Sequence, residues 1–67
     1  MSEPKYPNIT VELIGQDGNA FVVLGLTRKA LKRGGVPQEE VEAFTKEATA
    51  GDYDHLLQTC MKWVEVE

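Results

Sequence analysis

Near the C-terminal end, Tyr53, Leu56, Leu57, Cys60, Met61 and Val64 recur at i, i+3, i+4, i+7, i+8 and i+11. That spacing puts every one of these side chains on one face of an α-helix and fits no strand, whose faces alternate residue by residue. A helix carrying such a stripe must lay it against other elements of the chain or against a partner. With 67 residues there is material for one core only. A domain of this size buries only about 60% of the surface its unfolded chain exposes, so its stability is marginal. Disulfides cannot compensate, because Cys60 is the only cysteine, and a zinc cluster cannot, because His55 is the only histidine. A lone thiol reads as a reducing compartment, the cytoplasm. Self-association is the remaining route to added stability.

The rest of the chain supplies elements for that stripe to cover. Asn8 to Ile14 alternates, with Ile9, Val11 and Leu13 on one side and Thr10 and Glu12 on the other, which predicts a half-buried strand. Gly15 to Gly18 breaks it. A helix over 19–33 is expected next, capped by Asn19, with Ala20, Val23, Leu24, Thr27 and Leu31 on one face and Gly34-Gly35 as its stop. The competing reading is an N-terminal β-hairpin followed by two helices, since Asp17-Gly18 lies between two apolar runs. Pro37 suits the start of a second helix with Val41, Phe44, Thr45 and Ala48 inward and Gly51 at its end. Asp52 can cap the third. Trp63 to Glu67 alternates like a short strand. The expected fold is therefore α+β: strand, three helices, strand, with the terminal strands paired under the helices. Residues 1–7 are expected to form a flexible N-terminal arm and 8–67 the single domain.

Three segments carry a resemblance. Asp17-Gly18-Asn19-Ala20-Phe21, Gly51-Asp52-Tyr53-Asp54-His55-Leu56-Leu57-Gln58-Thr59 and Met61-Lys62-Trp63-Val64-Glu65-Val66 are together similar to a group of short, uncharacterised bacterial and phage proteins. The similarity runs from about Pro7 to the C-terminal end, with Val22-Val23 as a departure from a helix-favouring pattern. It implies a compact domain related to mobile elements and assigns neither an activity nor a functional residue.

The candidate sites are few. Asp52, Asp54 and His55 join carboxylates to an imidazole, the groups of divalent-metal binding or acid–base work. Neighbours one or two apart on a helix point in different directions, however, so helix capping explains the aspartates better. Cys60 falls on the apolar stripe and reads as core. Arg28, Lys29, Lys32 and Arg33 make up four of the seven basic residues. At helical spacing they form one positive face, able to contact phosphates or an acidic protein. A solvated helix end explains that face better, and the overall charge of −4 opposes non-specific attraction to nucleic acid or anionic membrane. Tyr6, Tyr53 and Trp63 are read as core aromatics that could extend to an interface.

No secretory signal is expected at the N-terminal end, and the longest apolar run, Ala20 to Leu26, is too short to span a bilayer. The resulting expectation is a cytoplasmic, non-catalytic interaction or accessory protein, without cofactor or metal, that pairs with itself or another protein. Nucleic-acid binding through the Arg28–Arg33 face is the alternative. An enzyme using Asp54 and His55 ranks below both.

Overall fold

The computed structural model describes residues 3–13 and 19–67. The elements run β1 (Tyr6–Val11), α1 (Ala20–Arg33), α2 (Gln38–Ala48), α3 (Tyr53–Trp63) and β2 (Val64–Val66). This is the strand, three helices, strand order expected, and residues 20–33 are helical rather than part of a hairpin. The two terminal strands form a parallel two-stranded sheet. Parallel pairing obliges the chain to cross from one end of the sheet to the other between strands, and the three helices make that crossover. The Asp17-Gly18 turn lies outside the described residues.

The arm is shorter than expected. Lys5 N–H donates to the Lys62 carbonyl at 2.9 Å, and Tyr6 and Pro7 already belong to β1. Between Tyr6, opposite Val64, and Thr10, opposite Glu65, β1 carries extra residues in a bulge. Pro7 sits in that irregular stretch, where a strand tolerates a residue without an N–H. Beyond the bulge the alternation holds: Ile9, Val11 and Leu13 pack toward the core, while Asn8, Thr10 and Glu12 are exposed.

Each helix end has an identifiable cause. Asn19 caps α1 through its side-chain oxygen, which accepts from Phe21 N–H at 2.8 Å. At the other end Val36 N–H reaches the Leu31 carbonyl and Gly35 N–H the Lys32 carbonyl, both at 3.1 Å, with Gly35 at φ 85°. This is a Schellman closure, and its usual apolar contact partners, Val36 and Leu31, are both buried. Asp52 caps α3 by accepting from His55 N–H at 2.9 Å. α2 stops at Ala48 with Thr49 as its cap, three residues before the glycine expected to end it.

The core gathers Val11 from β1, Val23 and Leu31 from α1, Val41, Phe44 and Ala48 from α2, Leu56, Cys60 and Trp63 from α3, and Val64 from β2. Phe44 is fully buried, and burying one such side chain contributes about 1.5–3 kcal/mol. Two expected stripes are only partly right. In α1, Val23, Thr27 and Leu31 are buried, but Ala20 is exposed and Leu24 half-buried. In α3 the buried face is Leu56, Thr59, Cys60 and Trp63, and Met61 is 56% exposed. At 100° per residue that face lies roughly 80° from the expected one. The rotation comes from Tyr53 and Met61, which are exposed, and from Thr59 and Trp63, which take the buried side instead. Thr59 can be buried because its hydroxyl donates to the His55 carbonyl at 2.8 Å, which leaves no polar group unsatisfied. Val64 is buried as expected, but as part of β2.

The Gly35 turn generates a direct test. Gly35→Ala forces an L side chain into the left-handed region and is expected to cost about 1–2 kcal/mol, read as a lower urea midpoint with an unchanged slope.

Candidate functional site

The Asp52, Asp54 and His55 side chains do not converge on a common point. Asp52 is spent on its cap, and Asp54 Oδ2 accepts from Gln58 Nε2 at 3.2 Å one turn along α3. The His55 ring leans the other way: its Nε2 lies 2.9 Å from the Glu47 carbonyl. Gly51 makes room for this, since a Cβ there would come within 2.8 Å of the His55 side chain. The imidazole therefore ties α3 to the end of α2. Among the described residues no group of three His, Cys, Asp or Glu side chains could hold a metal ion.

Cys60 is fully buried, 3.4 Å from the Thr27 hydroxyl, which itself donates to the Val23 carbonyl. Desolvation pushes the thiol above its ordinary pKa, the opposite of what a nucleophile requires.

The four basic side chains share the outer side of α1, away from Val23, Thr27 and Leu31, but their settings differ. Lys29, Lys32 and Arg33 are exposed, with Arg33 beside Asn8, Thr10 and Gly34 near β1. Arg28 is half-buried in the groove between α1 and α2 with Glu39 and Glu42, and its Nε is buried without a hydrogen-bond partner. The positive face is thus bordered on one side by α2 carboxylates.

A cluster that sequence reasoning did not assemble lies at the start of β1. The Trp63 ring packs 6.0 Å from Tyr6 and, edge-on, 5.6 Å from Phe44, and its indole N–H donates to Glu47 Oε2 at 2.7 Å. Lys5 Nζ sits 4.5 Å above the Trp63 ring and pairs with Glu40, which also accepts from the Tyr6 hydroxyl at 3.2 Å. The Lys5 ammonium holds the Glu40 carboxyl below its ordinary pKa, and Glu40 raises that of Lys5. Desolvation and then Glu40 push the Tyr6 phenol up. Tyr53 takes no part in this cluster. The spacing of Lys5, Glu40 and Trp63 is set by the tertiary fold alone, so no local sequence signal could have found it.

The remaining feature is apolar. Phe21 is 84% exposed and Tyr53 38%. With Ala20, Leu24, Ala48 and Leu56 they line a cleft of about 240 Å³ between the start of α1 and the α2–α3 turn. Its signal was present in the sequence as Phe21 and Val22, which fall off the buried face of α1. No protein-family model, curated protein or solved structure matches the chain.

The Lys5–Glu40 pair carries a pH dependence whose sign is fixed. A carboxyl held low in the folded state contributes stability above its unfolded pKa and loses it as pH falls through the folded value. Lys5→Gln is therefore expected to flatten the stability–pH profile from the ordinary carboxylate range downward, with little change near neutrality in high salt. Thermal melts across that range, at low and high ionic strength, read the effect.

Proposed function

We propose that this chain works by binding rather than catalysis, as a self-associating interaction protein that docks through the Phe21 cleft. The observation that carries the reading is the 84% exposure of Phe21 beside a part-exposed Tyr53, in a domain with so little apolar material to spare. Large aromatics placed at a concave surface are typical anchors of protein contacts. The engagement of Asp52, Asp54 and His55 in local structure, and the burial of Cys60, support a non-catalytic role. No helix among the described residues is long and apolar enough to cross a membrane. A cytoplasmic accessory role connected with mobile elements, as the sequence resemblance implies, belongs to the same proposal.

The test is light scattering over a dilution series. The parent chain is expected to dimerise with rising concentration, and Phe21→Ser to stay monomeric, with the parent's melting temperature where the parent is monomeric and a lower one where the parent is dimeric. A parent chain that is monomeric at millimolar concentration would overturn self-association.

A second reading, nucleic-acid binding, is favoured by one observation: Lys29, Lys32 and Arg33 are all exposed on the same side of α1. The carboxylates of Glu39 and Glu42 next to Arg28 weigh against it. It predicts binding of double-stranded DNA or RNA that falls steeply with salt and is lost in the Lys29→Glu, Lys32→Glu, Arg33→Glu triple variant. Absence of binding at low salt rejects it.

A further inference from the structure

The outer edge of β2 is open and shares no lining residue with the Phe21 cleft. Glu67 faces inward: its N–H donates to the Val11 carbonyl at 2.9 Å and its carbonyl accepts from Leu13 at 2.8 Å. Peptide groups in a parallel ladder alternate between the two sides of a strand. Val66 therefore points its N–H and carbonyl away from β1, and so does the carbonyl of Val64, whose own N–H is held by Cys60. Among the described residues β1 is the only strand beside β2, so these outward groups have no ladder partner.

A shallow groove lined by Pro4, Met61, Val64, Glu65 and Val66 runs along this edge, and the exposed Met61 gives it an apolar wall. The adjoining solvent face of the sheet is acidic, with Glu12, Glu65 and Glu67 all exposed. The hydrogen bonds of Glu67 to Val11 and Leu13 place it opposite Glu12. Lys62 brings a cation to the end of this edge, where α3 meets β2, and Arg33 lies beside Thr10 on the far side of β1.

Charge decides the occupant. A second copy adding its own β2 antiparallel would set Glu65 and Glu67 against the same residues, and like charges facing across a strand pair are destabilising. We infer that the β2 edge accepts a strand from a different protein, an extended segment alternating lysine or arginine with apolar residues. Its main chain bonds to Val64 and Val66, its apolar side chains rest on Met61 and Pro4, and its cations face Glu65, Glu67 and Glu12. This is strand addition at an open sheet edge, in which backbone bonds give affinity and alternate side chains give specificity.

The experiment titrates the whole chain with a short blocked peptide alternating lysine and valine, and with its glutamate–valine counterpart, followed by amide chemical shifts. The basic peptide is expected to shift the Glu65, Val66 and Glu67 amides and to slow exchange of Val66 N–H. The acidic one is expected to bind at least tenfold more weakly at low salt. Val66→Pro removes an outward donor and should lower affinity at least tenfold. A lysine–valine peptide N-methylated on alternate residues tests the same bonds with the protein unaltered, and should also lose at least tenfold. Glu65→Lys with Glu67→Lys should reverse the peptide preference. The inference is overturned if the Val66 amide is unmoved at saturation, if N-methylation leaves affinity unchanged, or if both peptides bind equally.

Discussion

Trp63 holds this domain together. It sits where α3 gives way to β2, and its indole meets Tyr6 of β1, Phe44 of α2 and the carboxylate of Glu47 while roofing over with the Lys5 ammonium. Three elements, α3, β1 and α2, meet at one side chain. A buried aromatic at such a crossing offers large area and a single satisfied polar group, a combination that few residues can supply.

The sheet depends on that centre. A two-stranded sheet is marginal by itself and needs cover, and here Val11 and Val64 are buried in one core with Val23, Val41 and Phe44 of the helices. The cost of bringing distant segments together is a loop-closure entropy that grows only slowly with loop length. The helical crossover therefore adds little beyond what a shorter connection would cost, while it supplies most of the core residues.

Much of this was legible in the sequence, because local signals and the global fold agree. Asn19, Asp52 and the Gly34-Gly35 pair each mark a helix end by their own chemistry. The alternation of Ile9, Val11 and Leu13 fixes the inward face of β1. The main failure lies in the third helix. A period of 3.6 residues admits neighbouring faces, and a stripe weighted to large apolar side chains takes in Tyr53 and Met61 while passing over Thr59, whose hydroxyl is satisfied within its own helix. Of the site, the basic face of α1 could be read directly, since it needs only helical spacing. The Lys5, Glu40 and Trp63 cluster could not, because its members are separated along the chain and meet only after folding. The strand direction was equally invisible, and with it the acidic face that pairs Glu12 with Glu67.

The union of the first and last strands bears on how the molecule is made. Synthesis runs from the N-terminal end, so β1 leaves the ribosome long before β2 exists. During that interval Ile9 and Val11 have no partner strand, and the helices have no Trp63 to close on. Until β2 is made, the unpaired polar backbone of β1 and the apolar side chains of Ile9 and Val11 lie open to any chaperone or protease nearby.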